Sequence, residues 1–368
     1  MRYSPLRHIA AVFCKRRPLQ FTFFVTKRCN ARCPFCFYSN REAHSESLPA
    51  ELSLAEIDAI AASLPNLLWL AFSGGEIFLR EDLPEITKIF YKRNKPAIIL
   101  FPTNGLLTSR IKEVVSEILR ACPKSTIVVK LSLDGDETLH DAIRGVPGCY
   151  RKTMETYAAL GELLDQFPNF DLGINSVFCA KNQEVMAELI DKVGRMERIK
   201  THTVSLIRGE MAENGLKEVE LKKYLAVITR LEANLKTQAA AIYRFPGARL
   251  KAAQDIIQRR LIYETARQNR RLIPCYAGRL NLVLSETGEL FPCESFTMGL
   301  GNVRDHDLNI NRVLASGQAQ GVLARIRNNG CHCTHECYFM TNILFNPRLY
   351  PTLLKEYLQV RPAGSALS

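Results

Sequence analysis

Cysteine placement constrains this chain more than any other feature of its sequence. Three of its 12 cysteines, Cys29, Cys33 and Cys36, fall on one short stretch, and five more, Cys275, Cys293, Cys331, Cys333 and Cys337, crowd the C-terminal quarter. Cys14, Cys122, Cys149 and Cys179 stand alone. A secreted disulfide scaffold is a small domain behind a signal peptide. Here the chain has 368 residues, enough to bury a large core without covalent staples. The first residues, MRYSPLRHIAAVFCKRRPLQ, lack a small-residue cleavage site and run into Lys15, Arg16 and Arg17. No apolar run approaches the roughly 18 residues that span a bilayer. Grouped thiols in such a chain point to bound metal and a reducing cytoplasm.

Composition is ordinary for a globular protein, at 47% hydrophobic and 23% charged residues. The net charge of +12 fits solubility or an anionic substrate or surface. No arginine-rich tract with interleaved aromatics points to nucleic acid.

From residue 20 onward, apolar runs alternate with amphipathic stretches. The strands are expected at Gln20–Thr26, Leu68–Ser73, Ala97–Pro102, Thr126–Leu133, Phe170–Phe178 and Lys200–Leu206. Helices are expected at Leu54–Leu64, Leu83–Tyr91, Ser109–Ala121, Tyr150–Leu164, Gln183–Met196 and over 216–235. This alternation predicts an α/β fold, a partial (β/α)6 TIM-like barrel of parallel strands with right-handed crossovers. A basic arm is expected over 1–19, the barrel over 20–235 and a helical linker over 236–271. A small C-terminal cysteine-rich module, a hairpin plus helix, is expected over 272–345, with a helix and tail over 346–368. The hairpin is read from Leu280–Leu284, Gly288 and Leu290–Phe291, and one helix from Val313–Arg327.

Cys29-Asn-Ala-Arg-Cys33-Pro-Phe-Cys36 directly follows the first strand. Barrels place their active sites on such loops. Three thiolates hold three irons of a cubane cluster and leave the fourth without a protein ligand, and an open position marks a reactive metal site. A structural zinc site would need a fourth ligand, and only His44 lies close by. The motif, including Phe35 before its last cysteine, resembles the signature of the radical S-adenosylmethionine (SAM) superfamily. The resemblance implies a [4Fe–4S] cluster whose open iron chelates SAM. It implies reductive cleavage of SAM to methionine and a 5′-deoxyadenosyl radical, which abstracts a hydrogen atom from the substrate.

Residues at the strand ends can hold SAM. Ser73-Gly74-Gly75-Glu76 closes the second strand and looks like the family's GGE motif, which contacts the methionine amino group. Glycines there allow close backbone approach, although turns use them constantly. Thr103 and Asn104 follow the third strand, and Ser132 and Asp134 close the fourth. Their side chains suit ribose hydroxyls or the SAM carboxylate, and Asp134 equally suits a cap. Asn175 on the fifth strand and Arg208 after the sixth complete the candidates; Arg208 could pair a carboxylate bidentately or be an ordinary surface arginine.

The second constellation has Cys275 and Cys293 flanking the Gly288 turn, and then Cys331-His-Cys333-Thr-His-Glu-Cys337. It resembles the SPASM/twitch extension of the superfamily, with its later half truncated. The resemblance implies one auxiliary [4Fe–4S] cluster on Cys275, Cys293, Cys333 and Cys337, with Cys331 as alternate ligand. A zinc ribbon is the structural alternative. The resemblance also suggests Glu294, beside Cys293, as a base during substrate oxidation, against a plain solvated carboxylate. The four isolated cysteines read as apolar packing.

The expected substrate is a small molecule or a peptide, possibly of anionic character, and the expected electron donor is external, such as a flavodoxin or ferredoxin. Only about 20 residues precede the first strand, which leaves no room for a leader-recognition domain. A peptide maturase would then work with a separate leader-binding partner. The rival readings are a methyltransferase on the same scaffold and a non-enzymatic Fe–S or zinc regulator.

Overall fold

The computed structural model describes residues 2–38, 50–211, 213–237, 241–328 and 331–360. His44 lies outside the described residues. Nine strands form one sheet: β1 Gln20–Thr26, β2 Trp69–Gly74, β3 Ile98–Thr103, β4 Thr126–Ser132, β5 Phe170–Phe178, β6 Thr201–Leu206, β7 Asn281–Leu284, β8 Glu289–Phe291 and β9 Gly301–Asn302. The order is β6-β5-β4-β3-β2-β1-β7-β8-β9. The first six are parallel neighbours in chain order, joined by helical crossovers, as a partial barrel requires.

Phe21, Phe23, Phe72, Phe101, Val129 and Leu172 meet the surrounding helices in the main core. On the opposite sheet face, Trp69, Ala71, Ile98 and Val128 form a second core with Tyr243 and Phe245. Burial on both faces explains the near-continuous apolar strands. Local chemistry sets the helix starts. Ser53 and Glu56 form a reciprocal capping box at Leu54–Ala62. Asp136 Oδ1 accepts the Leu139 N–H at the start of Glu137–Arg144, a helix absent from the sequence expectation.

One expectation changes, the single helix over Val313–Arg327, while the basic arm and the helical linker gain detail. The basic arm is ordered: Pro5–Val12 is a 3-10 helix, and the Tyr3 N–H donates to the Lys124 carbonyl at 2.9 Å. The linker contains the helix Ala248–Gln268, which buries Gln254, Gln258 and Arg259 and packs against Leu221–Thr237, Glu336–Leu344 and Tyr350–Gln359. The helix expected over Val313–Arg327 is two, Ile310–Ala315 and Gly317–Arg327, broken at Ser316, whose hydroxyl caps the second.

The hairpin β7–β8 forms as expected, but it joins the barrel sheet. β7 runs parallel to β1, pairing Gln20 with Asn281 and Phe23 with Leu284. Glu56, at the start of the first barrel helix, also binds Arg304 beyond β9, with Nε–Oε1 at 2.7 Å. That guanidinium pulls the Glu56 carboxyl down to about 2. The cysteine-rich region is thus fixed to the side of the barrel where β1 lies.

Candidate active site

A cavity of about 210 Å³ opens at the C-terminal ends of β1–β6. Cys29, Cys33, Cys36 and Phe35 line it from the loop after β1. Gly74, Gly75 and Glu76 line it after β2, and Thr103, Asn104, Ser132, Asn175 and Arg208 complete the wall. These residues lie far apart in sequence, and parallel strands bring them to one rim.

The glycine pair makes the rim possible. A Cβ on Gly74 would lie 2.2 Å from the Thr26 carbonyl oxygen, and one on Gly75 would lie 2.1 Å from that of Arg28. Gly74 also has φ +132°, where glycine alone is comfortable. The Gly75 and Glu76 N–H groups donate at 2.9 Å to the Thr26 and Arg28 carbonyls. These donors hold the backbone leading to Cys29 and are spent within the protein. Glu76 is buried and ties β2 to β3, accepting from the Thr103 hydroxyl at 2.9 Å and from the Asn104 N–H at 2.8 Å. Burial pushes its carboxyl up to about 7, against the pull of those donors. Asn104 Nδ2 donates to Asn30 Oδ1 at 2.7 Å, fixing the cysteine loop from the far side.

Asp134 does not line the cavity. It is fully buried behind the wall, where it accepts from Arg144 Nε at 2.7 Å and from the Val177 N–H at 2.8 Å. The residue it orients was not a sequence candidate. Arg144 ends the helix Glu137–Arg144, lines the cavity, places its guanidinium 5.4 Å from the Phe35 ring centre and points NH1 at Cys33 Sγ, 3.8 Å away. Its carbonyl accepts the Arg32 N–H at 2.9 Å, so the helix end and the cysteine loop are docked backbone to backbone. The only sequence signal for this helix was Asp136 at its start and Gly145 at its end.

Burial raises the Cys29 thiol to about 11 and raises Cys33 as well, the latter opposed by Arg144. Thiols in that state release their protons on metal binding. Three thiols on one cavity, a cation aimed at one of their sulfurs and polar strand ends opposite fit a three-cysteine cluster with room for a polar ligand.

A second cavity, of about 160 Å³, lies in the cysteine-rich region. Cys275, Cys293, Cys331 and Cys333 line it. Of the expected ligands, Cys275, Cys293 and Cys333 line this cavity together with the alternate Cys331, whereas Cys337 does not line it. The reason is local. Arg271 binds the Cys331 carbonyl through NH2 at 2.7 Å and turns that residue inward. Cys337 sits in the first turn of Glu336–Leu344, on the side of Glu294 and His335, whose ligand atoms gather with its own within 4.8 Å. His332 bonds Asn269 at 3.0 Å.

Glu294 is not a solvated carboxylate. It is 7% exposed, with Oε2 at 3.1 Å from His335 Nε2 and 3.5 Å from Arg208 NH2. Burial works to raise its pKa, but His335 and Arg208 outweigh it and hold the carboxyl below its ordinary value. Arg208 also lines the first cavity and stacks 5.3 Å from the Phe37 ring centre. Arg208 therefore joins the first cavity to Glu294, whose chain neighbours Cys293 and Ser295 line the second. The isolated Cys122, Cys149 and Cys179 are buried, and Cys14 is exposed.

Residues 23–174 match the family described as the radical SAM superfamily. Among curated proteins, the chain is 25% identical to an AdoMet-dependent heme synthase of Oleidesulfovibrio alaskensis, over 76% of this chain and 71% of that one. It is 27% identical to the antilisterial bacteriocin subtilosin biosynthesis protein AlbA of Bacillus subtilis, over 78% of this chain and 57% of that one. Among solved structures, anSMEcpe with bound AdoMet superposes with a TM-score of 0.60 at 14% identity, covering 94% of this chain and 96% of that one. Streptococcus suis SuiB bound to S-adenosylmethionine gives 0.55 at 17%, covering 86% and 69%. These likenesses agree with the partial barrel found here. The family match runs from β1 into β5 and the cysteine loop stands at the barrel mouth, so residues 23–174 of this chain carry a radical SAM domain.

Proposed function

We infer that this chain cleaves SAM reductively at the first cavity and removes a hydrogen atom from an unactivated C–H position of a small molecule or peptide. The observation that carries the reading is the bridge between the cavities: Arg208 borders the cysteine loop's cavity and contacts Glu294, which directly follows Cys293. Cys29, Cys33 and Cys36 would hold a [4Fe–4S] cluster, which would supply the electron for reductive cleavage of SAM to methionine and the 5′-deoxyadenosyl radical. Asn104, Ser132 and Asn175 offer donors and acceptors to the polar parts of SAM, and the backbone around Gly74 and Gly75 forms a floor close enough for contact. Asp134 acts through Arg144, which it holds against the cysteine loop. A substrate lying against Arg208 would meet a cation suited to a carboxylate.

Cys275, Cys293, Cys331 and Cys333 offer four thiols to an auxiliary cluster, which would supply an electron acceptor or a substrate platform. Glu294, kept ionised by its partners, is placed to take a proton from a substrate at the bridge. The relatives' names support the breadth of this reading: some refer to heme synthesis, and others, such as AlbA and the sporulation killing factor maturation protein SkfB, to peptide products. The structure of SuiB bound to the precursor peptide SuiA extends the peptide side. An external flavodoxin or ferredoxin would deliver the electron. No helix among the described residues is long and apolar enough to cross a membrane.

Iron and sulfide analysis of anaerobically reconstituted protein tests the ligand assignment. The wild type should hold about eight irons per chain. Cys331→Ala should fall to about four and Cys337→Ala should keep about eight. The reverse pattern would return Cys337 to the ligand set, and one zinc with about four irons would make the second site a zinc ribbon. Glu294→Gln should keep SAM cleavage while losing product; unchanged turnover removes the base.

A further inference from the structure

The face of the barrel opposite the first cavity carries an apolar patch that the chemistry above does not use. Leu6, Ile9 and Phe13 are 74%, 64% and 87% exposed. Their exposure is not that of a loose tail. Ser4 caps the 3-10 helix Pro5–Val12 by accepting the Leu6 N–H, and Pro5 opens it. Arg7 NH2 donates to the Leu67 carbonyl at 2.8 Å and also contacts the Lys95 carbonyl. Tyr3 is bonded to the backbone of Lys124. The segment is thus pinned beneath the N-terminal ends of β2, β3 and β4.

In a 3-10 helix, residues three apart eclipse one another. His8 and Ala11 share the buried face, and Leu6 and Ile9 share the outward one. Phe13 extends that apolar surface one residue past the helix end. Exposed Arg16 and Arg17 follow it directly, and exposed Lys95 and Lys124 stand on the loops to which the segment is bonded. Large apolar side chains held outward and rimmed by lysine and arginine match the interface of an anionic bilayer, where apolar insertion and basic attraction together give reversible attachment. A protein partner would have to supply both an apolar groove and acidic borders.

The geometry points to residues 4–17 as a peripheral docking surface for an anionic lipid bilayer. Docked this way, the chain rests on the base of its barrel and turns the first cavity away from the lipid, toward the solution.

Co-sedimentation of the full, iron-reconstituted chain with large vesicles tests this. Vesicles of phosphatidylcholine containing about a quarter phosphatidylserine should pellet the protein, and pure phosphatidylcholine should not. A triple variant, Leu6→Ser, Ile9→Ser and Phe13→Ser, should lose at least about tenfold of that binding, with iron content and far-ultraviolet dichroism unchanged. Wild type left in solution by anionic vesicles overturns the proposal, and so does equal binding to neutral and anionic ones. A wild-type dimer in light scattering that becomes monomeric in the triple variant also overturns it, since a second copy would then cover the patch. A misfolded triple variant is replaced by Arg16→Gln/Arg17→Gln, which should weaken binding to anionic vesicles; unchanged binding counts against the proposal.

Discussion

Arg144 and Asp134 show how a side chain can govern a site through another. Asp134 has 0% exposure and sits against a guanidinium that is itself buried. Removing one member of such a pair strands the other charge. Asp134→Ala should therefore cost about 3 kcal/mol in urea denaturation and also slow SAM cleavage, although its carboxylate never reaches the cavity. A variant as stable as wild type would deny the pairing. Gly75→Ala would drive a methyl into the Arg28 carbonyl oxygen. It should displace the cysteine loop and lower reconstituted iron at that site, and normal loading would count against the close approach. Much at this scale was legible: the cysteine loop, the glycine pair, Thr103, Asn104 and Ser132 close or follow strands, and with Asn175 in β5 they share one cavity. Arg144 was not legible, because it follows no strand and belongs to a short helix. Glu294 was legible as a candidate, but its burial was not, since His335 and Arg208 reach it only through tertiary folding.

At the scale of elements, hydrophobic patterning placed the six barrel strands to within a residue or so, because parallel buried strands are uninterrupted apolar runs. It could not place β7 beside β1, because no local signal encodes pairing across so long a stretch of chain. Nor could it foresee that Ser316 would cap a new helix rather than continue the old one. Strand β6 also carries a titration device. His202 Nε2 lies 2.9 Å from the Ser176 hydroxyl, and burial, helped by Lys130 and Arg259, pulls the imidazole down to about 3. The unfolded chain takes up this proton near pH 6.5, whereas the folded chain refuses it. The stability of the neutral ring is thus complete above pH 6.5 and is lost as pH falls toward 3. Asp171, raised to about 6 chiefly by burial, works in the opposite direction, so the wild-type curve alone is mixed. The difference between wild type and His202→Gln isolates the imidazole. Between pH 6.5 and about 4, wild type should lose up to about 1.4 kcal/mol per pH unit relative to the variant. Parallel curves would mean that the fold leaves the His202 imidazole unshifted.

Across the whole molecule, one continuous sheet carries two thiol-lined cavities, and Arg208 at the first contacts Glu294, which lies between two lining residues of the second. The hydrogen-bonded join of β7 to β1 fixes their relative position. Everything proposed for the second cavity depends on chemistry at the first. The direct measurement is 5′-deoxyadenosine released from SAM by reduced, iron-reconstituted protein. The full chain should produce it, and a folded variant with Cys29, Cys33 and Cys36 all changed to alanine should produce none. Equal amounts from both would contradict the assignment of the cysteine loop as the site of SAM cleavage.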